Sequence, residues 1–323
     1  MTDWFRERTT VLAMGVIFFI TVILGMLLAI PFLEMGYQAF EDPQDIRIPL
    51  LYVILIIAFS GLVLFLAKKK RLGFIQGFIL FASGLALMYV LFVPYSYLLG
   101  WLAGPQLPYY YDELGYLLLI MSIGTAVFLT WILYKYPEWY VVNTIGIVIG
   151  AGIIAILGIS LGILPLFILM IALAAYDAIS VYKTKHMIAL ADVVTEKHLP
   201  VVLVMPKKRG YKLKKQPSIK KSLAENRRRE AMFMGLGDIV FPGSLVISAM
   251  TFLSTNQDMS PTVDSVAVGF ATLIGSLVGY AVLMRFVLKG RPQAGLPLLN
   301  AGAILGFAFG YFIVFRDLGM GIW

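Results

Sequence analysis

Leu161–Tyr182 reads LGILPLFILMIALAAYDAISVY and carries a single charged residue, Asp177. About 20 mainly apolar residues take a helix through the hydrocarbon core of a bilayer, so this stretch is long enough to span one. A carboxylate inside such a span is costly, and its presence needs a reason. Ala231–Leu253 reads AMFMGLGDIVFPGSLVISAMTFL and repeats the pattern with Asp238. Between the two lies a polar segment, 183–230, with fourteen Lys or Arg against four Asp or Glu.

Asp177 stands six residues before Lys183, and Asp238 eight residues after Glu230. If both stretches are helical from the loop inward, a rise of 1.5 Å per residue gives depths of roughly 9 and 12 Å. Two antiparallel spans joined by one loop then bring both carboxyl groups to one level. Two like charges a few ångströms apart in a low dielectric cannot both ionise easily, so one keeps its proton while the other is a base. Hydrolysis of a peptide by water needs that pairing: one Asp takes a proton from water and the other gives one to the carbonyl oxygen. Taken alone, either acid could instead be structural, or part of an ion or proton path.

Outward from this pair the chain stays apolar. Of its 323 residues 60% are hydrophobic and 14% charged, well below the quarter or so typical of soluble domains. Nine spans are expected: Thr9–Leu33, Ile48–Ala67, Phe74–Trp101, Leu114–Tyr134, Tyr140–Ile159, Leu161–Tyr182, Ala231–Leu253, Pro261–Leu288 and Gln293–Phe315. The turn between the fifth and sixth must be tight. The fold class is thus an all-α polytopic membrane protein forming one membrane-embedded unit over 1–323. Spans one to six lie within 9–182, a loop covers 183–230, and spans seven to nine lie within 231–315.

Charge orients the bundle. Lys68, Lys69, Lys70 and Arg71, the 183–230 loop, and Lys289 with Arg291 all fall on one side. Glu34, Glu41, Asp42, Asp45, Asp112, Glu113 and Asp258 fall on the other. Basic loops stay in the cytoplasm, which puts the N-terminus inside, the C-terminus outside and the chain in the plasma membrane. The net charge of +8 is therefore read as topology and attraction to anionic lipid, with no nucleic-acid partner.

Several chemistries drop out. The absence of Cys removes disulfides and thiol nucleophiles. His186 and His198 lie in the polar loop, so neither a His-Glu-x-x-His zinc site nor a Ser–His pair can form in a span. No metal or cofactor is expected. The remaining rival is a cation channel or proton-coupled transporter using the same two acids.

Local sequence favours hydrolysis. In Gly235-Leu236-Gly237-Asp238 two residues lack a Cβ, which permits close approach. Pro242, four residues on, removes a hydrogen bond to the Asp238 carbonyl, so the start of span seven should be bent or partly unwound. Tyr176 precedes Asp177 and can shape a pocket with its ring or hydroxyl. At these residues the chain resembles the presenilin and signal-peptide-peptidase family of intramembrane aspartyl proteases. Tyr176-Asp177 is similar to the family's Tyr-Asp on span six, and residues 235–238 to its Gly-x-Gly-Asp on span seven. The family's Pro-Ala-Leu at the start of span nine corresponds to Ala294-Gly295-Leu296, followed by Pro297, with the first two positions drifted. The compact chain is most similar to microbial or archaeal presenilin homologues. The resemblance implies an intramembrane aspartic endopeptidase with Asp177 and Asp238 as its dyad, acting on transmembrane-helix proteins or peptides. The loop side adds that its orientation is like that of presenilins.

One stretch of the loop stands apart. Val201, Val202, Leu203, Val204 and Met205 form an apolar, β-branched run between Pro200 and Pro206. A helical substrate must unwind to expose a carbonyl, and unwound backbone in a membrane needs new hydrogen-bond partners. Val201–Met205 is accordingly expected to become, on binding, an edge strand that pairs with substrate.

Overall fold

The computed structural model describes residues 2–69, 71–103, 111–183, 202–208, 210–211, 213, 230–256, 258–288 and 293–317. The helices are α1 (Thr2–Glu34), α2 (Arg47–Lys68), α3 (Leu72–Ala103), α4 (Tyr111–Lys135), α5 (Trp139–Ser160), α6 (Ile163–Ala178), α7 (Gly237–Phe252), α8 (Val263–Val287) and α9 (Gly295–Phe315). A π-helical turn, Ile179–Lys183, continues α6. Among the described residues, eight helices are long and apolar enough to cross a membrane, and α7 is a shorter apolar helix of 16 residues. Of the residues singled out in sequence, Lys70, His186, His198, Pro200, Val201, Lys289 and Arg291 lie outside the described set.

The polytopic helical plan is present, with one addition: β1 (Val202–Pro206) and β2 (Ala231–Gly235) form a two-stranded antiparallel sheet. Span seven therefore needs correcting. Its expected start, Ala231–Gly235, is a strand, and the helix begins only at Gly237. The apolar run Ala231-Met232-Phe233-Met234 satisfies its main chain against β1 rather than within a helix. The depth reckoned for Asp238 falls with it, since Asp238 sits in the first turn of α7.

α5 is the hub of the bundle. Close approach to it is allowed by missing side chains. A Cβ on Gly158 would meet the Ser244 carbonyl oxygen of α7 at 2.9 Å, and one on Gly25 of α1 would meet the Ala151 carbonyl oxygen at 3.3 Å. The α8–α9 contact is closer still. A Cβ on Gly275 would come within 2.3 Å of the Gly302 carbonyl oxygen, and one on Gly279 within 2.5 Å of the Leu298 carbonyl oxygen. In lipid, where hydrophobicity does not drive helices together, small residues gain stability through such backbone proximity. Asn300 adds a polar tie, donating to the Met170 carbonyl of α6 at 2.9 Å.

The two ends of the bundle differ. At one end the α1–α2 connection covers the two-residue turn between α5 and α6. The Gly162 N–H donates to the Pro43 carbonyl at 2.8 Å, the Ala39 N–H to Ser160 Oγ at 2.8 Å, and Gln38 to the Ile159 carbonyl at 3.2 Å. At the other end the sheet is seated. Val202 packs on Val63, Ile75 and Ile79 from α2 and α3, and Lys207 pairs with Glu7 of α1 at 3.5 Å.

Candidate active site

Asp177 is the second-last residue of α6 and only 5% exposed. Its Oδ2 accepts the Leu296 N–H at 3.2 Å. The first N–H groups of any helix lack intrahelical partners. The N-cap of α9, Ala294, offers no side chain to satisfy them, so Asp177 caps α9 from another helix. The aligned peptide dipoles of α9 also point their positive end at this carboxyl.

Asp238 meets the same dipeptide. A Cβ on Gly295 would stand 3.1 Å from both Asp238 carboxyl oxygens. The Gly295 main chain thus lies against Asp238 while the next residue donates to Asp177. Only a small residue fits at 295. The two acids thus meet adjacent residues, brought from the C-terminal end of α6 and the N-terminal end of α7 to the tip of α9.

Local sequence explains how Asp238 gets there. β2 stops at Gly235, where a Cβ would already be 3.3 Å from Asp238 Oδ2. Leu236 makes the turn and accepts the Ile239 and Val240 N–H groups through its carbonyl at 3.1 and 3.0 Å. Its side chain is buried in the notch at Gly150 of α5, where a Cβ would lie 2.9 Å away. Gly237 is different: a Cβ there would meet nothing nearer than Phe241 at 3.5 Å. Among the described residues nothing crowds Gly237. Pro242 is buried inside α7, which runs through it as a helix. The unwinding expected beside the acid is real but lies before Asp238, in the strand and turn.

The flanking residues divide. Tyr176 is half-buried next to Asp177. Ala294 is buried, and Pro297 sits in the first turn of α9, where a missing donor costs nothing. Tyr182 was not singled out by the sequence. Its hydroxyl donates to Gln293 Oε1 at 2.8 Å and accepts the Ala294 N–H at 3.3 Å. It ties the turn after Asp177 to the entrance of α9. An aromatic five residues after the acid was the sole sequence signal.

The sheet leads directly into Asp238. Its register pairs Leu203 with Met234, Val204 with Phe233 and Met205 with Met232. Val204 directs both its main-chain groups to the side chain of Asn143 on α5, at 2.8 Å each. In an antiparallel ladder the groups of one residue point to one side. The Val204–Phe233 pair is therefore turned outward, and Leu203 and Met205 bond across to β2. Val202–Pro206 is thus a strand paired with β2. The edge expected to take substrate is occupied at Val204 by Asn143. The edge with no partner among the described residues belongs to β2, at Phe233. Asn143 was also missed, since 61 positions separate it from Val204. Among the described residues no cluster of three or more metal-ligating side chains occurs.

Residues 14–316 match the family model described as signal-peptide peptidase, presenilin aspartyl protease. Two solved structures, each titled as a presenilin family intramembrane aspartate protease, one in space group P2 and one in C222, are similar to this chain. Both are 33% identical, with TM-scores of 0.61 and 0.62; they align over 94% of this chain and 97% and 99% of theirs. No protein with a curated description matches.

Proposed function

This chain belongs to the signal-peptide peptidase and presenilin family of aspartyl proteases, and from that premise we propose that Asp177 and Asp238 are its catalytic pair. The protein is a multi-pass integral membrane protein and an intramembrane aspartic endopeptidase, acting on membrane-spanning substrates. The observation that carries the assignment is the shared contact. Gly295 lies against one carboxyl and the Leu296 N–H binds the other. One Asp accepts a proton from water as it attacks the scissile carbonyl, and the other donates to the carbonyl oxygen. Because each has a separate proton task, Asp177→Asn and Asp238→Asn should each abolish cleavage of a transmembrane peptide, read by mass spectrometry of the products. Retention of more than roughly a few percent by either variant, against the 100-fold or greater loss expected of a missing acid or base, would remove that residue from the site. Activity should be bell-shaped in pH, with limbs belonging to the pair.

The bundle makes nine crossings in the plasma membrane as a single unit over 1–323. α7, about 24 Å long at 1.5 Å per residue, is completed on the loop side by β2. The basic connections put the sheet and the 183–230 loop in the cytoplasm, in contact with anionic lipid. With no native Cys, a single Lys69→Cys should label only from the cytoplasmic side and Asp42→Cys only from outside. Reversed labelling would invert the orientation. The unwound substrate pairs with the outward edge of β2, since β1 already bonds on both sides, and that edge delivers an extended chain to Asp238 three residues on.

A further inference from the structure

We propose that Asn143 is a positioning residue for proteolysis: its side-chain amide stands in for a third strand on the outer edge of β1 and anchors the sheet to α5, so that the outward edge of β2 holds substrate in line with Asp238. The inference rests on the reading that substrate pairs with β2.

Asn143 lies near the start of α5 and is 5% exposed. Its Oδ1 accepts the Val204 N–H and its Nδ2 donates to the Val204 carbonyl, both at 2.8 Å. A primary amide offers the same donor–acceptor pair as a peptide group, so the contact reproduces one rung of a ladder. A polar side chain in a buried membrane helix is costly unless it is paired. Packing alone would be served by an apolar residue of the same size.

The rest of that edge is already poor in donors. The outward-facing residues of β1 are Val202, Val204 and Pro206, the ones out of step with the cross-strand bonds. Pro206 has no N–H. Val204 is taken by Asn143. Val202 begins the strand, packed on Val63, Ile75 and Ile79. β1 is backed by α5, with Leu203 and Val204 buried, so the clamp fixes where the sheet lies on that helix. Without it β1 can shift on α5, carrying β2 and a chain paired to it out of line with Asp238.

The test compares Asn143→Leu with Phe233→Pro in the full-length protein. Phe233 faces outward, so proline removes a donor from the open edge without breaking the ladder to β1. The readouts are kcat and KM on a transmembrane peptide, the bonds cut, affinity for a short dyad-directed transition-state mimic, and hydrogen exchange at Val204. For Asn143→Leu, exchange at Val204 should quicken and KM rise about tenfold, as loss of two hydrogen bonds implies. The set of bonds cut should broaden, while mimic affinity stays within about twofold, a margin too small for a lost bond. Asn143→Ala, which adds no volume, takes its place if the leucine variant does not fold. An unchanged KM and cut site despite faster exchange would overturn the proposal. So would an equal fall in kcat, mimic affinity and thermal stability, since that is the mark of a purely structural role. If Phe233→Pro cleaves normally, the β2 reading itself fails. If Phe233→Pro is impaired and Asn143→Leu is not, only the clamp fails.

Discussion

The inner helices α5 to α9 and the outer helices α2 to α4 are all strongly apolar in sequence, yet they meet their surroundings in opposite ways. α8 and α9 approach until main-chain atoms touch at Gly275, Gly279 and Gly302. In α2 to α4, glycines such as Gly61, Gly77 and Gly124 have nothing within 4 Å of a built Cβ, and large side chains such as Phe81, 65% exposed, face outward. The buried carboxyl and carboxamide side chains follow the same division: Asp177, Asn143 and Asn300 sit on inner helices, whereas α2 to α4 bury the hydroxyls of Ser60, Ser83 and Ser122. Hydropathy therefore says that a helix belongs in lipid, while glycine placement and buried carboxyl or carboxamide side chains say which helices build the site.

The sharpest way to break this contrast is at Gly295, the inner glycine against which Asp238 rests. Gly295→Leu should abolish cleavage, because its Cβ would start 3.1 Å from both Asp238 oxygens and the rest of the side chain would fill the space between the acids. Gly295→Ala asks the carboxyl to give only a few tenths of an ångström, and it should keep measurable activity. Equal activity in both variants would show that α9 does not press on the pair.

A smaller effect separates packing inside from packing outside. Gly279→Ala drives a Cβ to 2.5 Å from a carbonyl oxygen and should destabilise by roughly 1–3 kcal/mol, the usual cost of overpacking. Phe81→Ala, facing lipid, should change stability by less than about 0.5 kcal/mol. Thermal unfolding in one detergent compares the two. Similar losses would mean that the outer layer is as tightly packed as the inner one.

How much of this was legible in sequence follows from what each contact uses. Asp177 and Asp238 stood out because an acid within an apolar run is rare and costly. β1 could be read from Val202 and Val204, β-branched residues in an apolar run between prolines. β2 could not, because Ala231–Met234 is as apolar as the span it adjoins, and only pairing with β1 distinguishes strand from helix. Gly295 and Leu296 contact the acids through main chain and an absent Cβ, so no side-chain pattern at these positions announces the contact. Tyr182 with Gln293, and Asn143 with Val204, join residues 111 and 61 positions apart. No local pattern announces such pairs.

The central claim is that Asp177 and Asp238 work as one unit gathered at the tip of α9. Binding of a dyad-directed transition-state mimic tests it most directly, measured for the native protein, Asp177→Asn, Asp238→Asn and the double variant. A hydroxyl seated between two carboxyls needs both, and residues that act together are strongly non-additive. Each single variant should lose about 100-fold or more in affinity, and the double variant no more than about threefold beyond that. Losses that multiply in the double variant, or native affinity in either single one, would contradict the account.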